Sequence, residues 1–172
     1  FLGRALQTVN PATNSIDNTM ISSTAAIATT KLGAGAILQV LQDTTSTEVT
    51  TSSTSFVAGG LSQAITPSSS SNKILIICSY TMSQINSGKN SVCSVFRDST
   101  NLDGGDLGLG RLRADAANLY SRQTISLLDS PSSTSAITYS LKLKCYSSSA
   151  DARLHQNSNI GSLILMEIAG WL

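Results

Sequence analysis

The densest run of reactive side chains is RDSTNLDGGDLGLGRLRAD at 97–115, which holds Asp98, Asn101, Asp103, Asp106, Arg111, Arg113 and Asp115. Carboxylates, an amide and glycines at close spacing suit a calcium loop, because a hard cation takes several oxygen ligands from a flexible backbone. The spacing does not complete that pattern. With Asp103 and Gly104 at the fifth and sixth places of such a loop, Ser99 falls at the first and Gly110 at the twelfth, where a bidentate Glu belongs. Two readings are left. The run is a long, glycine-permitted surface loop whose opposite charges pair with one another or across a subunit boundary. Alternatively it is a contact surface for a sugar or an anionic glycan, since Arg and Asp offer forked donors and acceptors to hydroxyls and phosphates. The second reading rests on Asp103, Asp106, Arg111 and Arg113, and no metal site is assigned.

Catalysis finds little material in the rest of the chain. GGDLGLG lacks the order of a phosphate loop, and no strand-then-helix unit surrounds it. His155 is the one imidazole, and no GxSxG elbow presents a serine to it. Paired carboxylates for glycoside cleavage would have to come mainly from the 97–115 run, because the chain has only two Glu, Glu48 and Glu167. Cys78, Cys93 and Cys145 cannot all pair internally, and their spacing fits no zinc pattern; they read as small buried hydrophobes. No catalytic residue and no cofactor are assigned.

Those side chains must be positioned by 172 residues, enough for one domain with a substantial core. Hydrophobic residues make up 41% and charged residues only 12%, with a net charge of +1. Nucleic acid and anionic membranes demand a clear basic excess, so neither is expected as a partner. The longest apolar run, IGSLILMEIAGWL, is too short to cross a bilayer and carries Glu167, so no membrane insertion is expected. The chain opens on Phe1 rather than Met, which reads as processing or as a piece of a longer polypeptide. Thirty Ser and eighteen Thr exceed a quarter of the chain, and they suit the wet faces of a sheet that stays soluble without charge.

From Ala36 onward, short period-2 runs alternate with turn clusters. AILQVLQ (36–42), LSQAIT (61–66), VCSVF (92–96), SRQTISLLD (121–129), ITYSLKLKCY (137–146) and SLILMEI (162–168) read as strands, with TEVTTSST (47–54) an edge candidate and ARLHQ (152–156) a weak strand. The apolar run ILIICSYTM (74–82) predicts a strand buried on both faces. In 137–146 the residues Ile137, Tyr139, Leu141, Leu143 and Cys145 share one face, while Thr138, Ser140, Lys142, Lys144 and Tyr146 take the wet one. RADAANLY (113–120) allows one helical turn within a loop. The spacing predicts an all-β antiparallel sandwich, jelly-roll-like, of about eight strands at 36–172. Low charge leaves the sheet edges poorly guarded against pairing, so self-association is expected.

Residues 1–35 read as an extended arm or stalk. SIDNTMI (15–21) aligns over AIATTKL (26–32), so that Ile16 matches Ile27 and Ile21 matches Leu32. One apolar residue in every five or six cannot offset the entropy of ordering the segment by itself. If it is ordered, Ile16, Ile21, Ile27 and Leu32 must be buried against other chains.

The pieces Ile37–Val40, Thr54–Phe56, Leu61–Ile77, Val95–Asp98, Leu127–Lys142 and Ile164–Ile168 resemble a C-terminal domain of structural proteins of tailed bacteriophages, especially those of marine and cyanobacterial hosts. The upstream SIDNTMI and AIATTKL pair is similar to the stalk repeats that precede such domains in tail-fibre proteins. The resemblance implies a virion fibre or appendage subunit exposed on the particle surface, a homotrimer ending in a β-sandwich knob that touches host-surface glycan. It brings no catalytic residues. The competing expectations are a non-adhesive capsid or tail decoration protein whose arm docks on another virion protein and, more distantly, a polysaccharide depolymerase.

Overall fold

The computed structural model describes residues 33–103, 105–147 and 151–170. The expected arm, with Ile16, Ile21, Ile27 and Leu32, and Trp171 lie outside the described residues. Eleven strands follow in chain order: β1 (Ile37–Thr45), β2 (Val49–Thr51), β3 (Val57–Ile65), β4 (Lys73–Gln84), β5 (Lys89–Arg97), β6 (Thr100–Asn101), β7 (Gly110–Ala114), β8 (Leu119–Asp129), β9 (Ile137–Cys145), β10 (Ala152–Leu154) and β11 (Gly161–Ile168). Every strand pair is antiparallel.

Short strands share lanes. β1 and β2 run end to end against β11 and β10, and those two lie in turn along one side of β4, whose other side is taken over its length by β8. This is sheet A. In sheet B the order is β3, β9, β5, and then β7 and β6 together. The eight lanes nest: the first pairs with the last, β3 with β9, β4 with β8 and β5 with β7. A long hairpin folded over into two sheets in this way is a jelly roll. The expected all-β antiparallel sandwich is what forms.

The core lies between the sheets. Alternation sends Ile74, Ile76, Cys78, Tyr80 and Met82 of β4 inward to meet Tyr139, Leu141 and Leu143 of β9. Each such side chain contributes about 2 kcal/mol by leaving water. Two polar clusters tie the layers. At one end Asp129 of β8 receives Arg97 Nη1 at 2.8 Å on both carboxylate oxygens and the Tyr139 hydroxyl at 2.6 Å, joining sheet A to sheet B. On β11 the buried Glu167 accepts from Ser68 N at 2.6 Å, Asn72 Nδ2 at 2.6 Å and Gln39 Nε2 at 2.6 Å, which pins the serine-rich turn before β4. Burial would raise the Glu167 pKa, but the hydrogen bonds from Asn72, Gln39 and Ser68 outweigh it and hold the carboxyl below its ordinary value.

Three local expectations change. The 97–115 run is not one loop, since β6 and β7 pair with β5 inside it. Residues 113–120 make no helical turn; they finish β7, turn, and start β8. The run 74–82 is not buried on both faces throughout. Leu75 and Ile77 point away from the core and are only partly buried, because sheet A has only one covered side at these positions.

Candidate functional site

The candidate surface is the outward face of sheet B, and the strand alternation builds it. On β7, Leu112 and Ala114 turn into the core while Arg111 and Arg113 turn out. Gly110 opens this strand for a steric reason: a Cβ there would run into the Tyr80 hydroxyl from the core. Register then places Arg111 beside Val92 of β5 and Val92 beside Lys144 of β9. One row on, Arg113 stands opposite Asn90, whose carbonyl accepts from Tyr146 N at 3.1 Å.

Cations here lie on aromatic rings. The Arg111 guanidinium sits 5.0 Å from the Tyr146 ring centroid, and its Nε donates to Asn90 Oδ1 at 3.1 Å. Tyr146 keeps 49% of its surface exposed. Lys144 Nζ is 4.7 Å from the Phe56 ring and donates to Asp106 Oδ1 at 2.7 Å, and Lys142 Nζ is 4.1 Å from the Phe96 ring. Phe56 and Phe96 meet edge to face at 5.1 Å. Ring quadrupoles attract cations, more so where water is excluded, and Lys144 is only 5% exposed. The segment before β7 crosses the outer side of β5, and Gly108 permits the crossing. Its φ is 63°, and a Cβ would strike the Cys93 carbonyl and the Val92 side chain.

Two of the four residues expected from the sequence come together here: Asp106 through Lys144, and Arg111 one position across from it. Arg113 is on the same face, bonded to Asp115 Oδ1 at 3.0 Å with both side chains open to water. The exposed Asp103 is not joined to the other three by any contact described; its amide donates to Asn101 Oδ1. The oxygen groups of the calcium pattern are spent separately. Asp98 Oδ1 accepts from Thr138 N, Asn101 Oδ1 accepts from Ser94 and Asp103, and Asp106 holds Lys144. Sequence reasoning missed Lys142, Lys144 and Tyr146 as site residues although it placed them on the wet side of 137–146. Their partners come from elsewhere in the chain, Phe96 and Asn90 from β5 and Phe56 from the residue before β3, and leave no local signal.

The remaining chemistry-bearing groups, His155 and the cysteines, are buried between the strands. His155 is fully buried with its Nε2 3.2 Å from the Gly59 carbonyl oxygen, and burial pulls its pKa down. It sits over the bulge of β3 at Gly59 and Gly60, and Gly161 leaves room for its ring. The thiols of Cys78, Cys93 and Cys145 are fully buried, and burial pushes the Cys78 thiol up to about 12. They pack as small hydrophobes, as their setting in apolar strands suggests.

The chain matches no protein-family model and no curated protein sequence.

Proposed function

We propose that this chain is a structural and adhesive subunit of a tailed-phage fibre or appendage, self-associating as a homotrimer, whose jelly-roll knob offers the outward face of sheet B to a host-surface glycan. The observation that carries the reading is the Arg111–Tyr146–Asn90 group. A half-exposed ring can stack against the apolar side of a sugar, while a guanidinium and an amide held beside it give forked hydrogen bonds to hydroxyls or a carboxylate. The cations of this face, Lys142, Lys144, Arg111 and Arg113, outnumber its carboxylates Asp106 and Asp115, so an acidic glycan is favoured over a neutral one. Jelly rolls recur in viral capsid and lectin domains. Three copies on one particle would convert weak contacts into useful avidity.

The test is binding of the full chain to host cells and to an array of acidic and neutral glycans. Arg111→Ala with Arg113→Ala should lower binding about tenfold or more while the sedimentation mass stays the same. Undiminished binding by the double variant would remove this face from the reading. No binding by the wild-type chain would favour the non-adhesive decoration protein.

A further inference from the structure

The outward side of sheet A is built on a different plan. Register puts Val40, Met166, Leu75 and Leu128 side by side across all four lanes, and the next row carries Ile164 and Ile77 at its centre. Val40 is 54% and Leu128 53% exposed, and the four central residues are partly buried, screened by their neighbours in the sheet. The following row is Thr44, Ser162, Ser79 and Thr124, hydroxyls without a charge. By ordinary strand and residue spacings these rows, with Ile37 and Ile168 beyond them, span roughly 20 Å each way, an area of about 400 Å². That lies within the range of the largest patch a monomer leaves bare and is about half of one partner's share in a standard interface.

We propose that this face is the surface through which copies of this chain associate, leaving the outward face of sheet B turned outside. The inference rests on the self-associating reading above and supplies its surface. Three observations choose a second copy as the occupant. The three inner rows from Val40 to Thr124 carry no charge, so identical faces can converge about a common axis without like-charge repulsion; the cationic face of sheet B could not meet its own copies that way. The opening ILIIC (74–78) of β4 has the continuous apolar composition of a strand covered on both sides, and the sandwich covers only one side of Leu75 and Ile77. Residues 1–32 join the described chain at Gly33, four residues before Ile37 at the margin of this face, and the sparse apolar pattern of that segment reads as one that needs other chains to bury it.

Sedimentation equilibrium of the full chain and of two variants tests this. The wild type should sediment at a multiple of 17.9 kDa. Val40→Glu combined with Leu128→Glu should sediment as single chains or dissociate at least about tenfold more readily. Ala58→Glu, on the exposed outer side of sheet B, should leave the mass unchanged. The milder Val40→Thr with Leu128→Thr keeps residues that tolerate a strand and should move the mass in the same direction, which guards against misfolding as the cause. A wild-type chain that sediments at single-chain mass overturns the proposal. So does a multimer that both double variants leave intact; in that case glycan binding lost with Arg111 and Arg113 would still uphold the adhesive reading.

Discussion

On sheet B the outward positions hold Lys142, Lys144, Arg111 and Arg113, each cation is matched to a ring or a carboxylate, and the segment around Gly108 lies across the middle strand. On sheet A the equivalent positions hold Val40, Leu75, Met166 and Leu128, of which the described residues leave Val40 and Leu128 half open to water and the other two partly covered. One period-2 pattern therefore produces two kinds of surface. The first has its polar and apolar needs met within the chain. The second does not, and an apolar sheet face left in water favours whatever covers it.

Experiments can strain this contrast at several points. The largest effect should come from Gly110→Ala, which forces a methyl against the Tyr80 hydroxyl and displaces β7 together with Arg111 and Arg113. A loss of about 3 kcal/mol, seen as a fall in Tm of roughly 5–10 °C, is expected. Next comes Glu167→Ala, which strands the donors of Ser68, Asn72 and Gln39 beneath the edge of sheet A and should cost about 2 kcal/mol in urea denaturation at neutral pH. Its pH dependence has a definite sign. The folded carboxyl lies below its ordinary value, so its contribution is present above the ordinary carboxyl range and is lost as pH falls through the lowered one. The gap between wild type and Glu167→Gln should therefore narrow in acid; a constant gap would mean that the charge does not matter.

Two substitutions compare the faces directly. Lys144→Met should cost about 1 kcal/mol, because a nearly buried cation loses the Phe56 ring; its ion pair adds little, since Asp106 is open to water. Val40→Thr on the other face should change folding stability by less than about 0.5 kcal/mol and register only in the association equilibrium. If Val40→Thr proved the more destabilising to a single chain, the distinction between the faces would fail.

Much of the fold is legible in the sequence because alternation is a local property. The inward set Ile137, Tyr139, Leu141, Leu143 and Cys145 follows from the order of residues alone, and the structure buries all five. The same logic misjudged 97–115, where the density of Asp and Gly conceals the short alternation of Gly110–Ala114. Lane order was beyond reach, since the pairing of Ile37 with Ile168 spans nearly the whole chain and no local signal encodes it. The site divides the same way. Asp106 and Arg111 stand out by their polar neighbourhood, whereas Lys144 becomes part of it only through Val92, a neighbour from another strand. The apolar outward row was hidden because Leu75 and Ile77 read as core; whether a half-exposed residue meets solvent or a partner is not written in its own strand.

The position of β11 has a consequence for biosynthesis. It lies between β1 and β4 and buries Leu163 and Leu165 completely, yet it is translated after every other strand. Until it leaves the ribosome, β1 has no described partner in its sheet and one side of β4 stands open over Lys73–Ser79. The nascent sandwich therefore cannot close strand by strand and must wait for β11, with apolar edges exposed until that strand is made. A ribosome that stalls before residue 161 releases a chain that cannot complete sheet A, because β1 then lacks its described partner and β4 is left open along one side.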